Sequence, residues 1–285
     1  MINFYLPDFF YKYNLNMAFI NYMENYPERF YKDICIKSLY GSFPNAYWNG
    51  GRTMHGLVDI TNIQNTIDSV NSMDIAVRFT FTNELIDEYL IHDLFCNKIM
   101  EIANNGMNEV IVNSQILEDY LRNKYPNFKY ISSTTKCILD IDEFNQELDK
   151  YYLTVMDYRK NADKEFHKLI KDKDKVELLI NAYCSPKCTK RREHYKILSQ
   201  SQLTYEISDF YCDIKAETFQ DSLKWNSVIK VNNLYDYYVN QGFKHFKIEG
   251  RTLHDIDIID SYVYYMVLPE YRDITRNQII KQLWL

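Results

Sequence analysis

Residues 109–132, EVIVNSQILEDYLRNKYPNFKYIS, have the pattern of one complete β/α/β unit. The β-branched run from Glu109 to Val112 predicts a strand, and Lys129 to Ser132 predicts the next one. Between them, Ser114 is a suitable N-cap for an amphipathic helix over Gln115 to Lys124. Continuous apolar strands that alternate with amphipathic helices indicate a parallel sheet covered by helices.

The same alternation recurs along the whole chain. The predicted strands are Ile2 to Leu6, Ile34 to Tyr40, Ile75 to Phe81, Glu109 to Val112, Lys129 to Ser132, Tyr152 to Met156, Val176 to Ile180 and Phe246 to Glu249. A further helix is predicted over Glu84 to Ile102, where apolar residues fall near one face. Eight such units in about 250 residues fit a closed barrel, whereas the Gly-rich first turn of an open doubly wound sheet is missing. The predicted fold class is therefore α/β, a (β/α)8 TIM-barrel-like single domain.

Two connections are too long to be simple loops. They span residues 41–71, after the second predicted strand, and residues 182–245, after the seventh. Connections that follow a barrel strand lie at the face where barrel enzymes carry out their chemistry. We therefore expect one domain over residues 1–285 with two functional insertions.

Composition narrows the class of protein. The chain has 285 residues, of which 46% are hydrophobic and 16% aromatic, which is ample material for a core. Its formal net charge of -6 argues against wholesale binding to the DNA phosphate backbone. No apolar run reaches the roughly 18 residues of a membrane span, and no signal-peptide pattern is visible at the start. We expect a cytoplasmic protein with no DNA and no membrane partner.

Polar side chains cluster where the predicted strands end. The carboxyl ends of barrel strands converge on one mouth, so these side chains should meet there. Candidates for catalysis are Glu249, Arg251, Asn113, Asp157 and Arg159. Candidates for substrate binding are Asn49, Arg52, Asn83, Ser133, Thr135, Lys136 and Asn181. Taken singly, the small polar residues among them are also typical of turns and helix caps.

Two of these candidates lie in an aromatic, flexible loop. Asn49-Gly50-Gly51-Arg52 follows Tyr47 and Trp48, so the loop carries a fixed positive charge close to the predicted mouth. It could close over an anionic or planar ligand, and the glycine pair could equally form an ordinary bend.

The last predicted strand carries three charges in alternation. In Lys247-Ile248-Glu249-Gly250-Arg251, strand geometry sends Lys247, Glu249 and Arg251 to the same side. They could form a structural ion-pair layer inside the barrel, or Glu249 and Arg251 could act together on a substrate.

The cysteines after the seventh predicted strand suggest a metal centre. Cys184 and Cys188 follow that strand closely, and His194 and Cys212 lie farther along. Zinc accepts three cysteines and one histidine, so these four residues could bind it. A 4Fe-4S cluster takes thiolates and would need Cys137 as the fourth ligand. Free cysteines with no cofactor are the remaining possibility.

With these motifs in place, the chain resembles the U32 peptidase-like superfamily. Residues 247–251 match the motif that closes the barrel in that family, and Val112-Asn113-Ser114 with the following helix also matches. The resemblance spans most of the chain. It implies a TIM-barrel-like fold, an oxygen-sensitive iron-sulfur cluster in several members, and roles that range from collagenase-type peptidases to factors for hydroxylating RNA or quinone precursors.

The resemblance also assigns roles to individual residues. The matching positions are Cys184, Cys188 and Cys212 for the cluster and Glu249 and Arg251 for the strand-eight motif. The family pattern has a second close cysteine pair, whereas Ala216 stands where the partner of Cys212 would be. Zinc, or a cluster with an open or non-cysteine ligand, therefore remains an alternative.

Three functional hypotheses follow. The first is a U32-like barrel enzyme with a Cys-ligated centre, acting by hydroxylation or another redox step rather than peptide hydrolysis, since no hydrolytic motif is visible. The second is a non-catalytic subunit whose mouth and basic loop, Lys187 to Arg192, hold a partner protein or structured RNA. The third is a metal-free lyase or hydrolase for a small anionic metabolite, with arginines and a lysine as anion clamps: Arg52, Lys136, Arg159 and Arg251.

Overall fold

Eight parallel strands form a closed barrel in sequence order in the computed structural model, which describes residues 1–206, 210, 212 and 215–284. The strands are β1 (Ile2–Pro7), β2 (Ile34–Gly41), β3 (Ala76–Phe81), β4 (Glu109–Val112), β5 (Lys129–Ser132), β6 (Leu153–Met156), β7 (Val176–Leu179) and β8 (His245–Lys247). β1 pairs with β2 and also with β8, where Asn3 lies beside His245, and this pairing closes the ring. The predicted TIM-barrel fold is confirmed.

Helices follow the strands. They are α1 (Tyr13–Asn25), α2 (Ile60–Asn71), α3 (Leu94–Ala103), α4 (Gln115–Lys124), α5 (Ile141–Lys150), α6 (Lys164–Leu169), α7 (Arg191–Thr204), α8 (Phe219–Ser222), α9 (Val231–Asn233), α10 (Asp255–Met266) and α11 (Arg272–Trp284). Short 3-10 turns occupy Pro27–Arg29, Leu90–His92, Thr134–Lys136, Tyr158–Lys160, Lys173–Lys175 and Pro269–Tyr271, and a π-helical turn spans Leu234–Val239. The side chains that cap α2 to α6, each accepting a backbone N–H, are Asp59, Asp93, Ser114, Asp140 and Asp163. None of the helices in the described ranges has the length and apolarity to cross a bilayer.

One predicted helix was wrong at its start. The pattern over residues 84–102 predicted a continuous helix, but α3 begins only at Leu94. Asp87 Oδ1 accepts hydrogen bonds from the backbone N–H groups of Tyr89 and Leu90, which holds this segment in a turn. Asp93 then accepts the N–H of Cys96 at 2.7 Å and caps the helix. Side-chain turn bonds therefore override the apolar periodicity here.

Both long connections meet at the carboxyl ends of the strands. Residues 42–59 precede α2, and Gly50 donates its N–H to Thr80 O of β3 at 3.1 Å. A Cβ at Gly50 would lie 2.5 Å from the carbonyl carbon of Thr82, so only glycine fits this approach. From α7, Gln202 Oε1 accepts from Met54 N at 2.8 Å and from Asn49 Nδ2 at 3.2 Å. These hydrogen bonds thus hold the two connections together over the barrel.

The barrel interior is apolar in part and charged in part. Its small apolar cluster includes Tyr5 and Tyr40, while the larger core contains the outward-facing strand residues and the helices. Arg78 of β3 is fully buried, donates to Glu109 Oε2 at 2.6 Å, and also pairs with Glu177. Its guanidinium carbon lies 3.9 Å from the centre of the Tyr5 ring. A buried ion-pair layer therefore crosses the barrel below its mouth.

Candidate functional site

A cavity of about 110 Å³ lies at the carboxyl ends of the strands. Strands β2 to β8, or the segments directly after them, all contribute to its lining, and α7 covers one side. The lining residues are Tyr40, Gly51, Arg52, Thr80, Thr82, Ile111, Ser133, Thr134, Thr135, Tyr158, Leu179, Cys184, Arg191, His194, Tyr195, Lys247, Glu249 and Arg251. Of these, three are arginines, one is a lysine and one carries a carboxylate, so the cavity is suited to anions.

Glu249 is the carboxylate of this cavity, and its position is set by the backbone just after β8. Its N–H donates to Asn181 Oδ1 at 2.6 Å, and its C=O accepts from Asn181 Nδ2 at 3.0 Å. β8 itself ends at Lys247, so the Asn181 amide makes the two backbone hydrogen bonds that a neighbouring strand would otherwise make to Glu249. The Glu249 side chain pairs with Arg52 and accepts the N–H of Tyr183 at 3.3 Å.

Arg251 does not pair with Glu249. Its Nη1 donates to Asn49 Oδ1 at 3.0 Å and to Thr80 Oγ1 at 2.8 Å, and its Nη2 donates to Gly50 O at 2.8 Å. Within residues 1–206, 210, 212 and 215–284, no carboxylate oxygen lies within 4.0 Å of its guanidinium. Burial lowers the pKa of Arg251 to about 10, and the nearby Tyr40 acts in the opposite direction. Glu249 and Arg251 therefore do not bond to each other, because β8 ends before both residues and each side chain takes partners from the loop at 49–52.

Asp157 holds two arginines at the other side of the cavity. It pairs with Arg191 of α7 and with Arg159, whose Nη2 lies 2.8 Å from Asp157 Oδ2. Burial alone would raise the pKa of Asp157, but the two guanidinium groups outweigh it and the net shift is downward. Arg191 also donates to Thr134 Oγ1 at 3.0 Å and lies 4.4 Å from the centre of the Tyr158 ring. Asp157 therefore positions a cavity-lining cation rather than lining the cavity itself.

Lys247 is the last residue of β8 and lies deep in the same cavity. Its Nζ is 4.0 Å from the centre of the Tyr40 ring and 3.5 Å from Glu177 Oε1. Burial lowers the pKa of Lys247 to about 8, although Glu177 acts to raise it. A buried ion-pair layer is present, but of the three strand-eight charges only Lys247 belongs to it, at its upper edge.

A second, wider cavity of about 530 Å³ adjoins the first. The residues shared by the two linings are Arg52, Cys184, His194 and Glu249, so the Arg52–Glu249 pair belongs to the wall between them. Cys212 lines the second cavity. The His194 ring stacks on Phe210 with the ring centres 4.4 Å apart, and burial lowers the pKa of His194 to about 4.

The predicted metal ligands are Cys184, Cys188, Cys212 and His194. Burial raises the pKa of the Cys184 thiol to about 11, and the neighbouring Cys188 and Cys212 add to this shift. The three thiols are thus in the same region. Across the part of the chain that the structure describes, however, no three His, Cys, Asp or Glu side chains are grouped as metal ligands would be. The metal assignment therefore stays a prediction.

Several predicted substrate-binding or catalytic residues lie outside the cavity. Lys136 points away and donates to Glu147 Oε2 at 2.7 Å, because a 3-10 turn ends at Cys137 with a φ of 55°. Asn83 fastens the mouth loop by donating to Tyr47 O and to Ser199 O of α7. Also outside the lining are Asn113, which is partly buried, and Arg159, which pairs with Asp157. Asn49 and Asn181 do not line the cavity, but they hydrogen-bond to Arg251 and Glu249, which do.

Some lining residues were missed by sequence reasoning. Tyr40, Tyr158 and Tyr195 had no local signal that separates them from the other tyrosines of this tyrosine-rich chain. Arg191 was predicted to belong to an exposed basic loop, but only 4% of its surface is exposed. Lys247 did carry a signal, since it alternates with Glu249 on the same side of β8.

The fold and this cavity define the class of protein: a TIM barrel with a cationic pocket at its mouth. No protein-family profile and no curated protein sequence matches the chain. Among solved structures, the U32 peptidase Mk0906 is similar with a TM-score of 0.54 at 10% sequence identity, over 88% of this chain and 94% of that one. The predicted U32-like resemblance is confirmed, and at this identity it shows the fold alone. A GH113 beta-1,4-mannanase matches at a TM-score of 0.38 and 10% identity, over 98% and 97% of the two chains, which is too low to support an argument.

Proposed function

We propose that this chain is a barrel enzyme that binds a small anionic substrate at Arg251. A guanidinium has five N–H donors, and Arg251 uses three of them on Asn49, Thr80 and Gly50. Its Nε–H and one Nη2–H have no acceptor among the described residues. Two guanidinium donors of this kind match the two oxygens of a carboxylate. This partly buried guanidinium, which lines the cavity and has no carboxylate partner within 4.0 Å among the described residues, is the observation that carries the proposal.

Glu249 supplies the acid–base function in this proposal. It is the carboxylate in the cavity lining, and its backbone is clamped on both sides by Asn181. A carboxylate held rigidly beside a bound substrate can accept or return a proton at a reacting atom. Arg52 holds one oxygen of Glu249 and keeps the group oriented.

The test is binding of simple anions measured by titration calorimetry, with pyruvate, succinate and phosphate as probes. We expect at least one probe to bind and the Arg251→Gln variant to bind it about 100-fold more weakly, since the lost charged bonds are worth about 3 kcal/mol in total. Arg276→Gln is the matched control, because Arg276 pairs with Asp260 on α10, away from the mouth. Equal affinity in wild type and Arg251→Gln would contradict the proposal.

A metal-containing, U32-like redox enzyme is a second proposal. It is favoured by the proximity of Cys188 and Cys212 to Cys184, which belongs to the wall between the two cavities. Protein made without oxygen would then contain stoichiometric zinc, or iron with acid-labile sulfide, and Cys188→Ser would lose it. Metal-free wild-type protein from that preparation would contradict it.

Binding of RNA or a partner protein stays a prediction with less support. It relied on the basic loop at residues 187–192, and within that loop Arg191 is turned inward onto Asp157. Arg192 is exposed, and its Nη2 donates to Lys136 O at 3.1 Å. The positive surface left for a phosphate backbone is therefore smaller than the sequence suggests.

A further inference from the structure

We propose that Lys247 forms a Schiff base with the carbonyl group of an anionic oxo acid held by Arg251. This inference rests on the proposed function, because Arg251 supplies the anchor for the carboxylate. It adds the substrate class and a covalent step. The candidate substrate carries a carboxylate and a ketone or aldehyde carbonyl close to each other.

The placement of Lys247 is the first argument. Its side chain is 9% exposed, and it lines the same cavity as Arg251 and Glu249. Lys247 and Arg251 come from the same strand end, four residues apart. A substrate anchored at Arg251 and extending down into the barrel is therefore directed toward the Lys247 amine.

The partners of Lys247 are the second argument. Glu177, the carboxylate beside it, already pairs with Arg78, and Glu109 also bonds to Arg78. Lys247 Nζ is 3.5 Å from Glu177 Oε1, which is longer than a strong charged hydrogen bond. Its other close contact is the face of the Tyr40 ring, at 4.0 Å. The ion-pair layer thus does not immobilise this amine as it does Arg78.

The charge environment supports the same role. Burial lowers the pKa of Lys247 to about 8, and Arg78 and Arg251 act in the same direction while Glu177 opposes them. About a tenth of the side chains are then neutral amines at pH 7, against well under 1% for an ordinary lysine. Only the neutral amine has the lone pair that attacks a carbonyl carbon.

The step balances within the cavity. The Lys247 nitrogen attacks the carbonyl carbon, a C–N bond forms, and the C=O π electrons move to oxygen, which takes a proton. The nitrogen then loses a proton, the hydroxyl leaves as water with a proton returned by Glu249, and a C=N bond remains. No oxidant or reductant is needed. The resulting protonated imine draws electrons from an adjacent C–H or C–C bond, as in aldol cleavage or decarboxylation.

The experiment is reductive trapping on wild-type protein. Pyruvate and glyoxylate are the probes, each added with sodium borohydride, and the modified residue is located by peptide mapping in a mass spectrometer. We expect one reduced adduct on Lys247, absent without the oxo acid, and at least 10-fold reduced in Arg251→Gln. Lys247→Arg should abolish trapping, while Lys98→Arg, on the outer face of α3, should leave it unchanged.

The outcomes separate this inference from the proposed function. Calorimetric binding of pyruvate that depends on Arg251, with no adduct on Lys247, would overturn the Schiff base and leave the anion site standing. Adducts spread over many lysines and unchanged in Lys247→Arg would overturn it equally. Neither binding nor trapping would overturn both. Because the decisive result comes from wild-type protein, a variant that fails to fold does not affect it.

Discussion

Replacing Arg251 with methionine is expected to abolish anion binding without weakening the fold. In the folded protein, burial lowers the pKa of Arg251 from 12.5 to about 10. At neutral pH, below both values, the folded chain therefore carries the full penalty of holding this cation, about 3 kcal/mol. Methionine removes that penalty and fills similar apolar space.

The substitution also removes hydrogen bonds, and their loss limits the gain. Asn49 Oδ1 and Thr80 Oγ1 still bond to each other at 2.9 Å, so they keep a partner. Gly50 O loses the Arg251 donor, which costs about 1–3 kcal/mol. Subtracting this cost from the removed penalty of about 3 kcal/mol predicts that the variant is about 0–2 kcal/mol more stable than wild type.

Arg78→Met is the matched control, since Arg78 is a second arginine of the barrel and is fully buried. It has two carboxylate partners, Glu109 and Glu177, and its removal leaves both without a cation to which they hydrogen-bond. Breaking such buried pairs is expected to cost about 3–5 kcal/mol. Urea unfolding followed by circular dichroism compares the two variants with wild type. Equal destabilisation of both would show that Arg251 has a structural partner and would refute the argument for a ligand there.

Three further outcomes are expected. Asn181→Ala leaves the N–H and C=O of Glu249 without their side-chain partners and should destabilise the protein by about 2–4 kcal/mol in urea unfolding, while a result below 1 kcal/mol would mean that other groups hold this segment. Burial lowers the pKa of His167, so the unfolded chain binds a proton that the folded chain does not, and stability should fall as the pH drops below about 6.5. His167→Gln should make that fall less steep, with the remainder due to His194 and His245, whose pKa values burial also lowers, and an unchanged curve would contradict the assignment. Elemental and sulfide analysis of anaerobic wild type and Cys188→Ser tests the metal centre, with equal metal content in both counting against the Cys188 ligand.

The barrel could be predicted from sequence because its signals are local. Each strand is a short apolar run, and Ser114 caps α4 as the residue pattern indicates. The helix start at Leu94 could not be predicted from periodicity, because it depends on which backbone groups Asp87 and Asp93 bind. Even that difference left the order of strands unchanged.

The site was harder to predict, because partner choice depends on loop conformation. Alternation correctly placed Glu249 and Arg251 near the mouth, but β8 ends two residues before Glu249. Glu249 then pairs with Arg52, which is almost 200 residues away in sequence, and Arg251 turns to the backbone of the same loop. The pairing of Arg191 with Asp157 could not be predicted from the sequence for the same reason, since it depends on the position of α7.

The charges in and directly beneath the cavity bear on what the ligand can be. Among the residues that the structure describes, the cations are Arg52, Arg78, Arg159, Arg191, Lys247 and Arg251, and the carboxylates are Asp8, Glu109, Asp157, Glu177 and Glu249. Asp8 acts on Arg251 only at longer range, since its Oδ1 accepts the N–H groups of Phe10 and Tyr11. Six cations against five carboxylates leave one positive charge in a chain whose net charge is -6. A ligand with a single carboxylate would neutralise this excess, whereas a dianion would leave a buried negative charge that is costly without a further partner. The charge balance therefore favours a monocarboxylate over a diacid at Arg251.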